Sequence, residues 1–180
     1  MDELQHIRAI GQGDRKAFEA LYRRYADRVY NTALGFAKNA EDAEEITQDV
    51  FVRIWRGAQA FKGEAAVHTW IYRITVNAAL SFLKKKEKHA AVSSGEGLPD
   101  GATFDHPGAR LENKEKARLL FQVIDTLPDN QRTAFLLSYV EHLPRQEVAD
   151  VMGLSLKAVE SLLQRAKQNL RKRLEPLYPQ

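Results

Sequence analysis

Between Arg145 and Leu162 the chain reads RQEVADVMGLSLKAVESL. Counted from Arg145, the fifth residue is Ala149 and the ninth is Gly153, a spacing that favours two short helices crossing at a tight turn. A methyl group fits where the two helices approach most closely, and glycine suits a left-handed backbone in the turn. Ser155 would cap the second helix. This stretch therefore predicts a helix-turn-helix, which places its second helix in the major groove of DNA.

The second of these helices carries outward side chains suited to reading bases. Glutamine can bond adenine, glutamate can accept from cytosine, and arginine can bond guanine or phosphate. Because phosphate repels an acidic side chain, Glu160 must either read a base or be tolerated near the DNA backbone. The basic residues that follow could hold phosphates. A helical hairpin used for protein contact is the alternative. The residues predicted for this DNA-reading surface are Ser155, Lys157, Glu160, Ser161, Gln164, Arg165 and Gln168, and the basic residues are Lys167, Arg171, Lys172 and Arg173.

A composition change divides the chain. From Ala90 to about Arg110, glycine, proline, serine and aspartate replace the apolar period, which predicts a flexible linker over 89–112. Helical periodicity dominates on both sides and no alternating strand pattern competes, so we expect an all-α fold of two small helical domains, 1–88 and 113–180. In the first domain, helices are predicted after Gly13-Asp14, from about Glu41, and from an N-cap at Thr69 to a lysine cluster formed by Lys84, Lys85, Lys86 and Lys88. In the second domain, helices are predicted over 113–126, 129–141, 145–152 and 156–174.

The helix beginning near Glu41 has an acidic side opposite its apolar stripe. Acidic residues at a helix N-terminus often only stabilise the helix. That explanation suits the first turn but accounts less well for Asp49 and Trp55 further along. An acidic surface repels DNA, so the sequence favours contact with a basic protein surface. The residues predicted for this protein-binding surface are Asp42, Glu45, Gln48, Asp49, Val52 and Trp55.

The helix after Thr69 has a strip in which an aromatic residue lies among polar ones. On a helical wheel, the strip contains Trp70, Arg73, Asn77, Ser81 and Lys84. Bases of an unpaired strand stack on such rings, arginine holds the backbone and asparagine reads a base edge. Phe61 could add a second ring. In the alternative, Trp70 packs on a neighbouring helix and Phe61 belongs to the core.

Composition and motifs argue against an enzyme. The 180 residues include no cysteine, which excludes a disulfide framework, a cysteine zinc site and a thiol nucleophile. No His-Glu-x-x-His, phosphate-binding glycine loop or serine elbow occurs, so we expect no catalytic residues, metal or cofactor. The net charge of +3 is too small to argue nucleic-acid binding by itself. With no secretory signal or membrane-length apolar run visible, we expect a cytoplasmic protein.

Four blocks, in order, resemble the extracytoplasmic-function (ECF) sigma factors of bacterial RNA polymerase. They are FEALYRRY from Phe18, DAEEITQDVF from Asp42, TWIYRITVN from Thr69, and LPDNQR from Leu127 followed by the helix-turn-helix. The resemblance covers nearly the whole chain except the linker. It departs from the family pattern at Glu160 and Leu162, where that family often has basic residues.

The resemblance implies a role for each surface. The acidic helix would dock on a coiled coil of the largest polymerase subunit, and the helix-turn-helix would read the −35 element. The segment from Phe61 to Asn77, with Lys84 beyond it, would capture unpaired bases of the −10 element. Core polymerase, duplex and melted promoter DNA, and an anti-sigma factor are the implied partners, with no small-molecule substrate. An autonomous helix-turn-helix regulator is the alternative function. The residues assigned to the −10 element are Phe61, Trp70, Tyr72, Arg73, Asn77 and Lys84.

Overall fold

The structure, a computed structural model, describes residues 2–93 and 114–177. Within these ranges every regular element is helical, which confirms the predicted all-α class. The chain divides into two compact units, Met1–Ala102 and Thr103–Gln180. Residues 94–112 of the predicted linker lie outside the described residues.

The first unit is built from long helices that pack against one another. Its elements are α1 (Glu3–Gly11), α2 (Arg15–Ala37), α3 (Ala40–Gly57), a 3₁₀ turn (Ala58–Ala60) and α4 (Val67–Val92). The core lies among α2, α3 and α4, which all contact each other. The predicted apolar stripe of α3 is buried, because its members face α2 and α4; they are Ala43, Ile46, Val50 and Ile54.

Helix α1 was not predicted from the sequence. Asp2 caps it by accepting a hydrogen bond from the Gln5 amide at 2.7 Å, while the Gln5 side chain accepts from the Asp2 amide at 2.8 Å. The Tyr25 hydroxyl of α2 donates to the Glu3 carboxylate at 2.6 Å, and burial raises the pKa of Tyr25. With only Ile7 and Ile10 buried in this short helix, the apolar period is too brief to recognise.

The start of α4 differs from the prediction. Helix α4 begins at Val67, and Thr69 is a helical residue in its first turn instead of the N-cap. Thr69 is 4% exposed and Val67 is 5% exposed, so the first turn is packed into the core. Burial of this turn, and not a side-chain cap, determines where the helix begins, since Ala66 at the cap position makes no side-chain hydrogen bond.

In the second unit, the long helix α8 packs against the other helices. The elements are α5 (Lys114–Ile124), α6 (Asp129–Phe135), a π-helical turn (Leu136–Val140), α7 (Arg145–Met152) and α8 (Leu156–Leu174), then a short 3₁₀ turn (Glu175–Leu177). The predicted bounds of α7 and α8 are confirmed. A single α-helix over 129–141 is wrong, because its second half widens into the π-helical turn.

The turn between α7 and α8 has the predicted chemistry. Gly153 has φ +65°, a left-handed conformation that favours glycine. The Ser155 hydroxyl accepts from the Ala158 amide at 3.1 Å and so caps α8. Ala149 is completely buried where α7 meets α8. The helix-turn-helix is therefore confirmed, and it presents the outer side of α8 to solvent.

Among the helices of the described residues, none is both long enough and apolar enough to span a lipid bilayer.

Candidate functional site

The acidic face of α3 combines carboxylates with exposed apolar side chains. Glu45 and Gln48 are exposed, and Asp49 pairs with Arg53 one turn later at 2.8 Å. Val52 is 45% exposed and Trp55 is 36% exposed, high fractions for large apolar side chains. Such a face suits a partner surface that offers both basic and apolar groups. We define the acidic face by Asp42, Glu45, Gln48, Asp49, Val52 and Trp55.

An aromatic cluster from α2 supports the end of this face. The Trp55 ring meets Phe18 edge-on at 5.2 Å between centroids, and Phe18 meets Phe51 at 6.2 Å. Tyr22 packs on Phe51 at 4.6 Å and is itself 45% exposed. The sequence analysis did not assign Tyr22 to a functional surface. Tyr22 follows Phe18 by four residues, so the two side chains lie on the same side of α2. Only the packing of α2 on α3 shows that this side adjoins Trp55.

Asp42 has local partners that distinguish it from the rest of the acidic face. The Asn39 amide group donates to the Asp42 carboxylate at 2.8 Å, and the Lys86 ammonium of α4 donates to the same oxygen. The Asp42 side chain is only 13% exposed. These contacts fasten the start of α3 to the later part of α4, so Asp42 has a structural role at the edge of the face.

The Trp70 ring of the strip on α4 contacts a second aromatic ring, that of Phe61. Phe61 and Trp70 lie 4.6 Å apart between centroids at an interplanar angle of 30°. The 3₁₀ turn after α3 brings Phe61 to the start of α4, although the two ring residues are nine positions apart in sequence. Both rings are half-buried, as is Arg73, and all three line a groove of about 520 Å³. We call Phe61 and Trp70 the ring pair.

The remaining residues assigned to the −10 element divide into two groups. Asn77 and Lys84 are exposed further along α4. Tyr72 is 5% exposed and lies with Tyr25 and Val29 of α2, on a different side of α4 from the ring pair. The structure thus places Tyr72 in the core, where its ring cannot stack on a base. This corrects its inclusion among the residues that contact DNA.

The recognition face of α8 presents its polar side chains to solvent. All of its residues are exposed except Ser161, which is half-buried. Ser155, Lys157, Ser161 and Arg165 border a groove of about 450 Å³ that Leu154 and Asn130 also line. Beneath this surface, Val159 and Leu163 are buried against the rest of the unit. We define the recognition face by Ser155, Lys157, Glu160, Ser161, Gln164, Arg165 and Gln168.

The sequence analysis gave no functional assignment to two residues that lie beside the recognition face. Arg145, the first residue of α7, lies 3.8 Å from the Glu160 carboxylate, and both side chains are about half exposed. Tyr139 of the π-helical turn contacts Lys167 of α8. These contacts join residues far apart in sequence, and only the fold brings them together.

Among the described residues, no cluster of three or more histidine, aspartate or glutamate side chains could hold a metal ion.

Two family models match most of the chain. Residues 21–89 match the model described as Sigma-70 region 2, and residues 117–170 match Sigma-70, region 4. The matches include the ring pair and the acidic face in the first case and the recognition face in the second.

Relatives match over nearly the full length. The RNA polymerase sigma-H factor of Pseudomonas aeruginosa is 30% identical, and the match covers 96% of this chain and 94% of the relative. The ECF RNA polymerase sigma-E factor of Haemophilus influenzae is 28% identical, with 95% and 94% covered.

Two solved structures share the fold. CnrH in complex with the cytosolic domain of CnrY is 22% identical, with a TM-score of 0.69 and 97% of each chain covered. The sigma factor RpoE in complex with the anti-sigma factor NepR from Bartonella quintana is 19% identical, with a TM-score of 0.69 and 89% and 98% covered.

Proposed function

The chain belongs to the ECF sigma factors of RNA polymerase, and from this premise we propose which of its surfaces binds polymerase and which bind the promoter elements. A sigma factor initiates transcription together with core polymerase and is not itself an enzyme. The autonomous regulator is therefore set aside. We assign residues 1–88 to core polymerase and the −10 element, 89–112 to a linker, and 113–180 to the −35 element.

The acidic face would bind the polymerase. Its carboxylates favour a basic surface, and Val52 and Trp55 offer apolar area that a partner can bury. The edge-on contact with Phe18 holds the Trp55 ring in place before the partner binds. Large aromatic residues at the centre of an interface often carry much of the binding energy.

The ring pair would hold the melted strand. Extracting a base from the duplex costs a few kcal/mol, and a stacking surface with a nearby cation offsets that cost. Phe61 and Trp70 supply the rings, Arg73 supplies the cation beside them, and Asn77 supplies donor and acceptor groups for a base edge. The ring pair at 4.6 Å is the observation that carries this assignment.

The recognition face would read the −35 duplex. It lies on the second helix of a helix-turn-helix and carries glutamine, arginine, lysine and serine side chains that can meet base edges and phosphates.

Paired variants test the division between polymerase binding and strand capture. We expect Trp70→Ala combined with Asn77→Ala to bind core polymerase normally but to form no open complex, because the base-holding groups are gone. Permanganate reactivity of unpaired thymines measures opening, and a binding titration with core enzyme measures docking. Trp55→Ala is the reciprocal control, for which we expect binding to core polymerase to be weaker by about tenfold or more. A normal permanganate footprint from the double variant would contradict the assignment.

We also propose an anti-sigma factor as a partner, and the cytoplasm, where polymerase and promoters meet, as the location. The exposed apolar side chains of Tyr22, Val52 and Trp55 are suited to being covered while polymerase is not bound. CnrH and RpoE, which share the fold, were solved in complexes with CnrY and NepR respectively. Capture of the tagged chain from its source cells should recover a second protein in stoichiometric amount. Recovery of polymerase without such a protein would count against this partner.

A further inference from the structure

The 3₁₀ turn after α3 is joined to both members of the ring pair. The Phe61 amide donates to the Ala58 carbonyl at 3.3 Å, so Phe61 closes the turn. A Cβ atom at Gly57, the last residue of α3, would lie 3.4 Å from the Cζ2 atom of Trp70. The Trp70 ring therefore lies beside the backbone that leads into the turn. A shift of this turn would move Phe61 relative to Trp70.

Helix α1 packs on the same turn with its C-terminal end. A Cβ atom at Gly11, the last residue of α1, would lie 3.2 Å from the carbonyl carbon of Ala58 and closer still to the backbone of Gln59. The two backbones approach too closely for a side chain to fit between them. Ala58 is 3% exposed, so α1 meets the turn on its buried side.

The N-terminal end of α1 covers the loop that follows Phe61. Gly63 in this loop has φ +76°, a left-handed conformation that favours glycine. A Cβ atom at Gly63 would lie 3.2 Å from one Leu4 methyl carbon and 3.7 Å from the other. The Leu4 side chain, which is half-buried, therefore lies directly over Gly63. Phe61 thus lies between two positions that α1 contacts, Gln59 before it and Gly63 after it.

Helix α1 is itself fastened to α2 beside Leu4. The Tyr25 hydroxyl of α2 donates to the Glu3 carboxylate at 2.6 Å, and the Arg24 guanidinium lies 3.0 Å from the same oxygen. Tyr25 is only 3% exposed, so water competes little for its hydrogen bond. Because Leu4 follows Glu3 directly, this bond holds the end of α1 that covers Gly63.

We propose that α1 positions the ring pair for strand capture, with Leu4 as the positioning residue. The proposal rests on the function assigned above to the ring pair. Leu4 acts through the loop and needs no contact with DNA. By restraining the chain on both sides of Phe61, α1 keeps the two rings in place before an unpaired base arrives. A ring that is already ordered loses less freedom on binding, so more of its stacking energy contributes to affinity.

The test compares DNA that offers unpaired bases with DNA that does not. The first probe is a duplex that wild-type holoenzyme selects from random-sequence DNA, with the template strand removed across the −10 element. The second probe carries abasic nucleotides at the unpaired positions and therefore keeps the same backbone charge. We define the base preference as the affinity of holoenzyme for the first probe divided by its affinity for the second.

The variants should lower the base preference by different amounts. We expect about a tenfold loss for Phe61→Ala, which removes a stacking surface. For Leu4→Ala we expect about a threefold loss, because the ring remains but is less well ordered. Leu4→Met, which keeps most of the side-chain volume, should restore the preference. Tyr25→Phe keeps its ring and loosens only the start of α1, so we expect a smaller loss in the same direction.

A double variant shows whether Leu4 acts through the ring pair. Adding Leu4→Ala to Phe61→Ala should lower the base preference no further, because the ring that Leu4 positions is already gone. A loss of folded protein would instead lower the affinity for both probes and for core polymerase alike, and would leave the base preference unchanged. Binding of Leu4→Ala to core polymerase should therefore equal that of the wild-type chain.

Leu83→Ala is the matched control. Leu83 is also a half-buried leucine of the first unit, but it lies about 20 Å further along α4 than Trp70. The substitution removes the same atoms as Leu4→Ala at a place remote from the ring pair. We expect it to leave the base preference unchanged.

Each outcome decides one question. If wild-type holoenzyme shows no base preference, or if Phe61→Ala leaves it unchanged, the assignment of the ring pair is overturned and this inference with it. A preference that Phe61→Ala lowers and Leu4→Ala does not would overturn the inference about α1 alone, as would additive losses in the double variant. A loss in Leu4→Ala that vanishes when Phe61 is already alanine would support it.

Discussion

At the scale of single residues, Gly11 shows how tightly α1 is seated on the turn after α3. A Cβ atom at this position would lie 2.9 Å from the Gln59 Cα and 3.0 Å from its backbone nitrogen. Those atoms belong to the backbone and cannot rotate away as the end of a flexible side chain can. The position therefore requires glycine for space.

We expect Gly11→Ala to lower the free energy of unfolding of the first unit by about 1–3 kcal/mol, the usual cost of overpacking. Tryptophan fluorescence during urea unfolding measures this unit selectively, because both tryptophans of the chain, Trp55 and Trp70, belong to it. Gly57→Ala is the control, since a Cβ there would meet the Trp70 ring at 3.4 Å, and it should change little. An unchanged midpoint for Gly11→Ala would mean that α1 shifts freely.

Single side chains also show which contacts could be predicted from the sequence and which could not. Val52 and Trp55 are exposed on the acidic face as the helical period of α3 required. Asp42 lies on the same face by periodicity, yet Lys86 of α4 occupies its carboxylate. The lysine lies 44 residues away in sequence, so no local pattern could have revealed the contact. Tyr72 was placed among the DNA contacts by the family resemblance, but it is only 5% exposed because it packs with Tyr25 and Val29 of α2.

At the scale of helices, the sequence predicted those helix ends and turns that local chemistry determines. The α7–α8 turn was recognised because a left-handed glycine and a serine cap are each specified within a few residues. The start of α4 was misplaced because Thr69 has the chemistry of a cap but is buried in the core. Tertiary packing overrode the local preference there.

The π-helical turn lay beyond prediction for a similar reason. Leucine, serine, tyrosine and valine between Leu136 and Val140 suit an α-helix as well as a wider turn. The wider turn is closed by the Glu141 amide donating to the Leu136 carbonyl and is followed by the Leu143 amide donating to the Leu137 carbonyl, each at 3.0 Å. The turn places the Tyr139 ring beside the Lys167 ammonium of α8, 4.8 Å from the ring centroid.

At the scale of the whole molecule, the surfaces that we propose for promoter DNA differ in chemistry and belong to separate compact units. The ring pair and Asn77 belong to the first unit, and the recognition face belongs to the second. Each surface is small, so each is expected to bind promoter DNA weakly by itself. Covalent connection makes the second binding event intramolecular once the first has formed, and the gain depends on polymerase holding the −10 and −35 surfaces at a suitable spacing.

Cutting the chain between the units tests this dependence. A protease site inserted within 94–113 gives a chain that can be cleaved before it is mixed with core polymerase. At limiting sigma concentration, we expect run-off transcription from cleaved chains to fall by about 100-fold, because effective concentration is lost while every contact surface is kept. The uncleaved insertion variant is the control for the added residues. Raising the concentration of both fragments should restore part of the transcript, since mass action then replaces the connection. Equal transcription from cut and uncut chains at limiting concentration would mean that polymerase alone holds each unit on the promoter.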